Sequence, residues 1–445
     1  MEKKRDVLVV GGSAAGITAA LTAKKFSKET SVTVVRREKE VLIPCGIPYI
    51  FKTIGDVKKN LIPDSVLLNS GIEIVLDEVV EINRGEKTVT LKSGDKIGYK
   101  NLILATGSNP IVPKIKGVDL EGIFTIKKDI GYLEGLMKAL EKAKEIVIVG
   151  GGFIGVEIAD ELAKRGLKVS IVEMLPHCLQ LAFDEEFCVL AENMLKNMNV
   201  NLVTNTLAEE FVGEGRVEKV RLSNGELLKT DLVIIAIGTI PNTELASRAG
   251  LKIGAQKGIW VDEYMKTVDE NIFAAGDCAE KTSFFTKKPT ALRLASIATM
   301  EARIAGANVF GLKRKNIGAI GCFSTIVGGL ALGVAGLTEN AAKSAGFNYV
   351  VGKASGPDRH PAAMPGCKEL KVKLLFDKNT EKLIGGQVAG GVSVAEIVNM
   401  LTVMISRGFT AEEVATMQFG THPALTCSPI TYTVVVAAEN ALQQL

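Results

Sequence analysis

The chain has 445 residues, 47% hydrophobic and 23% charged, a length for about three domains and a balance that excludes disordered and coiled-coil classes. Lys plus Arg number 53 against 50 Asp plus Glu, a net of +3, too small over this length to draw the chain to nucleic acid or an anionic membrane. The seven cysteines, at 45, 178, 188, 278, 322, 367 and 427, form no CxxC, so they read as reduced thiols of a cytoplasmic protein, with neither a disulfide framework nor a metal site.

The start, MEKKRDVLVVGG, has too short an apolar run before its glycines for a secretory signal. Asp6–Val10 reads as a buried strand, Gly11-Gly12-Ser13-Ala14-Ala15-Gly16 as a turn, Ile17–Phe26 as an apolar helix, and Ser31–Val35 as a second strand. In a GxGxxG βαβ unit the first glycine permits the tight bend, the second lets amides approach a pyrophosphate, and the third lets the helix pack on the strand. The helix N-terminus adds partial positive charge for the phosphates. Here Ser13 replaces the middle glycine and Arg36 follows the second strand. Glu38 is then the nearest acid for a ribose, against the plainer reading of a solvated carboxylate.

Cys45 follows in Ile43-Pro44-Cys45-Gly46-Ile47-Pro48-Tyr49. A cysteine between Pro and Gly, at a turn into a helix around Pro48, can have its thiolate stabilised by helix amides. A lone cysteine is otherwise a small buried hydrophobe. Leu102–Gly107 is a strand running into a glycine turn. The βαβ pattern returns with a strand at Glu145–Val149, the turn Gly150-Gly151-Gly152-Phe153-Ile154-Gly155, a helix to Lys164 and a strand at Lys168–Val172. Gly150, Gly152, Gly155 and the acid Glu173 complete it, and acid plus repeat favour dinucleotide binding over a structural turn.

Val233–Gly238 is a further strand with a glycine turn. Asn271–Ala275 runs into Gly276 and Asp277, which sets a carboxylate at the tip of a sheet, for sugar hydroxyls or for a helix cap. Residues 317–337 are uncharged and long enough to span a membrane. Their glycines at 318, 321, 328, 329, 333 and 336 favour buried strands joined at glycines instead.

The order of GGSAAG, PCGIPY, LILATG, GGGFIGVE, VEM, AIGTIPN and AAGDCAE resembles the flavin-dependent pyridine nucleotide-disulfide oxidoreductases over essentially the whole chain. The resemblance implies an α/β fold with two Rossmann-like dinucleotide-binding domains and an α+β C-terminal dimerisation domain. These would be an FAD domain at 1–112 and 248–320, an NAD domain at 113–247, and the dimerisation domain at 321–445. The last would hold strands near Lys371–Phe376 and Ile384–Val388 and helices around 392–406 and 430–444. FAD is expected on Gly11, Gly12, Ser13, Ala14, Ala15, Gly16, Glu38, Pro44, Thr106, Gly107, Gly276 and Asp277, with Leu294 and Ala295 after Arg293 at the flavin pyrimidine edge. NADH is expected on Gly150, Gly152, Phe153, Ile154, Gly155, Glu173 and Gly238, with Glu157 near the nicotinamide side of the flavin; the plainer reading of Glu157 is a helix carboxylate. Glu173 repels a 2′-phosphate and so favours NADH, while NADPH stays open.

PCGIPY resembles the single-cysteine branch, the coenzyme A disulfide reductases, NAD(P)H-dependent persulfide reductases and NADH oxidases or peroxidases. The CxxxxC of the two-cysteine branch is missing, since the next cysteine is Cys178. Cys45 would then cycle against an external thiol, a sulfane sulfur or a peroxide oxygen. Coenzyme A disulfide reductases usually carry tyrosines in YYPG and YAPP motifs. Here stand Ala363-Met364-Pro365-Gly366 and Thr416-Met417-Gln418-Phe419, which turns the expectation from coenzyme A disulfide toward coenzyme A persulfide or polysulfide.

Gly420–Cys427 resembles the HPTLSE segment of the two-cysteine branch, which makes His422 a candidate proton handler for Cys45 across a homodimer, against a plain turn histidine. Cys427 stands in the place of that segment's acid and reads as inert, with a second, intersubunit sulfur as the alternative; His360 is given no role. Lys25, joined by Lys52, Lys58 and Lys59, would meet coenzyme A phosphates, with Tyr49 also at the substrate. The leading expectation is an FAD- and NADH-dependent reductase of small-molecule sulfur bonds. The alternatives are an oxidase or peroxidase working through a cysteine sulfenate, and a flavin-binding sensor with little turnover.

Overall fold

The computed structural model describes residues 4–311 and 313–445. The chain divides into two compact units, one made of the chain up to Val112, Thr125–Glu141 and Gly238–Ala319, the other of Pro113–Phe124, Lys142–Ile237 and Ile320–Leu445. Residues 1–3, where the segment read for a secretory signal begins, lie outside the described residues.

In the first unit the strand Lys4–Val10 pairs in parallel with Val32–Arg36 on one side and with Lys96–Leu104 on the other. Runs such as Val7–Val10 and Val32–Arg36 are buried throughout, as parallel strands covered on both faces must be. Glu73–Leu76 extends the sheet in parallel beyond Val32–Arg36. The strand Lys96–Leu104 changes partners along its length. Its first half pairs antiparallel with Thr88–Leu91, and its second half pairs in parallel with Ile272–Ala274. That second pairing carries Ile272–Ala274, distant in sequence, to the sheet that holds the first glycine turn. The small side chains of the helix Ala14–Phe26 let the helix Ala295–Asn308 approach closely, and a Cβ on Gly306 would lie only 2.5 Å from the Ala19 carbonyl oxygen.

The second unit repeats the βαβ pattern, with Glu145–Val149 in parallel register with both Lys168–Val172 and Leu232–Ile235. Its C-terminal part is an antiparallel five-stranded sheet in the order Cys322–Val327, Leu330–Gly336, Leu383–Gly390, Glu369–Asp377, Tyr349–Pro357. The uncharged stretch 317–337 is mostly the first hairpin of that sheet. Gly328 and Gly329 turn it with φ of 56° and 82°, the positive pair that a two-residue hairpin requires. No helix among the described residues is long and apolar enough to cross a membrane. The strands expected near Lys371–Phe376 and Ile384–Val388 lie within Glu369–Asp377 and Leu383–Gly390. The two C-terminal helices run Val394–Arg407 and Thr433–Leu442, the latter shorter than expected because Pro429–Thr431 forms a separate 3₁₀ turn.

A buried polar knot ties the C-terminal sheet of this unit to the N-cap of the helix Glu185–Asn197. Lys373, 2% exposed, meets carboxylate oxygens of Asp184 at 2.7 Å, Glu186 at 2.7 Å and Glu339 at 2.6 Å. Gln387 joins by donating to Asp184 and accepting from the Asp184 amide at 2.8 Å. Removing one partner of such a group strands the others without compensation. Lys373→Met is therefore expected to lower the unfolding free energy by about 3–5 kcal/mol, read from urea or thermal unfolding, whereas Lys371→Met on the same strand, half-exposed, should cost far less.

Candidate active site

Both glycine turns are shaped by backbone closeness. A Cβ on Gly11 would overlap the Ala105 carbonyl, and one on Gly16 the Gly11 carbonyl. In the second unit a Cβ on Gly150 would stand 2.6 Å from the Ala236 carbonyl oxygen, and one on Gly155 would overlap the Gly150 carbonyl. Gly152 differs, for a Cβ there would meet nothing within 4 Å. Packing does not demand that glycine, which leaves open space at the start of the helix Phe153–Lys164, as an approaching phosphate needs. Neither Ser13 nor Gly152 makes a side-chain cap bond, so the first-turn amides of both helices stay available for an anion. The residues fit dinucleotides.

The acid positions of the two units differ. Gly11 N–H donates to Val35 O at 2.9 Å and Gly150 N–H to Val172 O at 2.8 Å, so Arg36 and Glu173 are equivalent. Glu173, 8% exposed, turns back over its turn and accepts from the Gly151 amide at 2.6 Å and the Leu175 amide at 2.8 Å. Arg36 is equally turned back, 2% exposed, against Gly12, where a Cβ would run into its side chain. It is held by the carbonyls of Glu38 at 2.9 Å and Lys39 at 3.0 Å and by Asp64 at 2.7 Å. Glu38 lies on the outgoing loop with its carboxylate on Arg37 at 3.0 Å, and does not stand where Glu173 stands.

Cys45 is exposed, in the 3₁₀ turn Pro44–Gly46, followed at once by a second 3₁₀ turn, Pro48–Phe51. The helix expected around Pro48 is this second 3₁₀ turn, with Pro48 at its start, where a missing N–H costs nothing. Asn60, 2% exposed, braces the turn, its side-chain amide donating to Ile43 O at 3.0 Å while its own carbonyl accepts from the Ile43 amide at 2.9 Å. A Cβ on Gly46 would overlap the Asn60 amide oxygen. Asn60 escapes sequence reading because it lies beyond the motif, with no pattern of its own. Lys25, Lys52, Lys58 and Lys59 are all exposed in the first unit, and Tyr49 is half-buried.

Two further turns of the first unit meet through Thr106 and Asn242. Thr106 Oγ1 donates to Asn242 O at 2.7 Å, and Asn242 N–H donates to Gly107 O at 2.9 Å, while Ser108–Pro110 pairs with Thr239–Pro241 just beyond Gly238. Asp277 is not a helix cap. Its carboxylate accepts from the Ser108 hydroxyl at 2.7 Å, and Lys128 lies at 3.8 Å. Leu294 is the uncapped N-cap of the helix that begins at Ala295.

In the second unit Phe153 stacks on Phe323, with centroids 5.1 Å apart and planes 5° from parallel. Half-buried Ile154 follows it. Glu157, one turn on, accepts from Thr325 Oγ1 at 2.8 Å. Burial pushes its carboxyl up to about 7; the Thr325 hydrogen bond opposes the rise and Asp160 adds to it. Asp160, 1% exposed, accepts from the Gly328 amide at 2.8 Å.

Burial raises the thiols of Cys178 and Cys188 to about 12. Cys427, 4% exposed, contacts the Thr433 hydroxyl at 3.3 Å, in keeping with an inert sulfur. His422 is exposed, its Nδ1 accepting from the Ala424 amide at 3.2 Å. Its loop meets that of His360, whose Nδ1 lies 3.0 Å from Thr426 O.

Known proteins share this arrangement. The pyridine nucleotide-disulphide oxidoreductase model matches residues 5–302, and the dimerisation-domain model of the same name matches residues 322–430. The chain belongs to the pyridine nucleotide-disulphide oxidoreductase family. It is 34% identical to a Methanocaldococcus jannaschii protein named NADH oxidase, over 98% of this chain and 99% of that one. It is 35% identical to a Pyrococcus furiosus protein named NAD(P)H sulfur oxidoreductase (CoA-dependent), over 93% and 94%. The solved structure of an NAD-dependent persulfide reductase from A. fulgidus superposes with a TM-score of 0.92 at 32% identity, covering 99% of this chain and 83% of that one. The chain is thus a flavin- and NAD(P)H-dependent oxidoreductase of this family.

Two outcomes follow from the geometry. Asn60→Ala removes one of the two donors to the Ile43 carbonyl, which keeps the Gly46 amide at 3.1 Å, and should cost about 0.5–1.5 kcal/mol. Gly46→Ala collides with the same side chain, so the double variant should be more stable than the summed single effects predict, measured by denaturant unfolding. Glu157 sits at about 7 in the fold against an ordinary 4.5, so the folded chain keeps a proton that the unfolded chain releases. Its contribution to stability is fully present below about pH 4.5 and fades as pH rises through about 7. Glu157→Gln should flatten the loss of stability across that window by about one proton, seen in unfolding midpoints taken at several pH values.

Proposed function

We propose that this chain reduces small-molecule sulfur bonds with electrons from NAD(P)H, through FAD and the single cysteine Cys45, and that its substrate is a coenzyme A persulfide or polysulfide in preference to coenzyme A disulfide. The observation that carries this reading is the exposed thiol of Cys45 on a turn braced by a buried asparagine, in a chain whose turns fit two dinucleotides. The names of the P. furiosus and A. fulgidus relatives support the acceptor class. The name of the M. jannaschii relative supports a second reading, reduction of oxygen.

An FAD domain at 1–112 and 248–320 would hold FAD through Gly11–Gly16, Thr106, Gly107 and Asp277. The segment 113–247 would hold NADH through Gly150–Gly155 and Glu173. FAD supplies the two-electron relay between nicotinamide and sulfur. The helix N-termini neutralise the pyrophosphates, and Glu173, already turned over Gly151, offers its remaining lone pairs to ribose hydroxyls. Cys45 as thiolate attacks the outer sulfur of the coenzyme A persulfide and expels the coenzyme A thiolate. The two electrons then cleave the Cys45 persulfide, releasing hydrosulfide and restoring the thiolate. Lys25 would pair with the phosphates of coenzyme A, and Tyr49 would line the approach to the sulfur.

A homodimer is the proposed working form. The dimerisation-domain match at 322–430 supports it, as do large apolar side chains left exposed in that region, Val392 at 82%, Leu425 at 69% and Ile430 at 88%. His422 would then serve as proton handler for the other subunit's Cys45. The scattered cysteines support a cytoplasmic setting.

Cys45→Ser should keep rapid bleaching of the bound flavin by NADH in stopped flow and lose turnover with coenzyme A persulfide by at least about a hundredfold. Sulfur turnover surviving in that variant, or oxygen as the fastest acceptor of the unmodified enzyme, would overturn the proposal.

A further inference from the structure

We propose that Lys281 and Glu301 form a positioning pair that holds the Gly276–Asp277 turn in the shape that retains the flavin. The proposal rests on the flavin reading of the first unit.

Gly276 follows the strand Ile272–Ala274. Its N–H donates to Glu301 Oε2 at 2.9 Å, and its carbonyl accepts from Lys281 Nζ. Lys281 also donates to Ala279 O at 2.9 Å and meets the same Glu301 oxygen at 2.8 Å. The Gly276 N–H is thus taken by a charged side chain, and its carbonyl is shared between the Ala279 amide at 2.9 Å, as in an ordinary turn, and the Lys281 ammonium. The Lys281 and Glu301 side chains are 3% and 1% exposed.

A buried ion pair is a poor source of stability, since an apolar pair of the same volume often serves a fold as well or better. The geometry that the pair fixes is what distinguishes it. Gly276, with φ at +80°, is wedged so that a Cβ would stand 2.7 Å from the Ala15 Cβ and 3.5 Å from the Ala298 Cβ. Ala15 belongs to the first turn of the helix after Gly11–Ser13, and Ala298 to the first turn of Ala295–Asn308. The turn therefore lies against two uncapped helix starts, and Asp277, the next residue, carries the carboxylate that Ser108 orients. A displaced Gly276 would move that carboxylate relative to both sets of open amides. Glu301 Oε1 is buried with no hydrogen-bond partner, so the carboxylate is spent on one side only, toward Gly276 and Lys281.

The test uses purified holoenzyme carrying Glu301→Gln, Lys281→Met, Lys281→Arg, the double change Lys281→Met with Glu301→Leu, and Asp277→Ala. Flavin release after dilution is followed by flavin fluorescence, beside the thermal midpoint of each protein. Glu301→Gln and Lys281→Met are expected to release flavin at least about tenfold faster, with Lys281→Arg recovering most of the retention. The double variant should regain the thermal midpoint but not the retention, because it removes the unpaired charge without restoring the bonds to Gly276. Unchanged release in both single variants, or retention that rises in step with the thermal midpoint in the double variant, overturns the pair's role. If Lys281→Met does not fold, Glu301→Gln and the double variant still decide. Asp277→Ala separates the two levels. Rapid release there beside normal release in the pair variants defeats the pair alone, while normal release in Asp277→Ala defeats the flavin reading on which it rests.

Discussion

Everything functional in the chain depends on one steric constraint: a buried parallel strand must turn at its end and feed a helix that packs straight back onto it. Backbone then has to touch backbone, and side chains are excluded at Gly11, Gly16, Gly150 and Gly155 because carbonyl oxygens occupy their places. The same bend leaves the first amides of each helix facing outward, uncapped. A packing requirement thus creates an anion site as its by-product, twice.

The two copies have been used differently. After one strand a carboxylate folds back over its turn; after the other, at the matching position, a guanidinium does, locked by Asp64 and two carbonyls. An acid there can accept from sugar hydroxyls, whereas the arginine has only donors and spends them on two carbonyls of its own loop and on Asp64. On the proposed reading the first unit leans instead on residues brought from elsewhere, chief among them Asp277, delivered by a strand that joins the sheet through the second half of Lys96–Leu104.

Sequence reading reached the features that repeat. Glycine spacing, unbroken apolar runs and the acid at the end of Lys168–Val172 each have a physical period or position, so both βαβ units and the uncharged hairpin at 317–337 were legible. The role of Asn60 was not, because its partners at Ile43 and Gly46 become neighbours only through short antiparallel pairing of Val41–Leu42 with Leu61–Ile62. Nor were Lys281 and Glu301, which look like solvated charges until the fold buries them together. The helix expected around Pro48 is there as a single 3₁₀ turn, Pro48–Phe51, with the proline at its start. Arg36, and not Glu38, stands at the position equivalent to Glu173, because position on the strand decides which side chain reaches the turn.

With Cys45 in its proposed role, the brace beneath it has a consequence for how electrons leave the enzyme. A turn bonded to a buried asparagine at Ile43 and packed against the same side chain at Gly46 has little slack, so the sulfur moves mainly by rotation about its own χ1. It cannot swing out to meet a partner, and whatever oxidant the enzyme serves has to travel the last ångströms itself. Molecules that carry their reactive atom at the tip of a long, limber arm are suited to such a stationary electrode, and rigid folded disulfides are not.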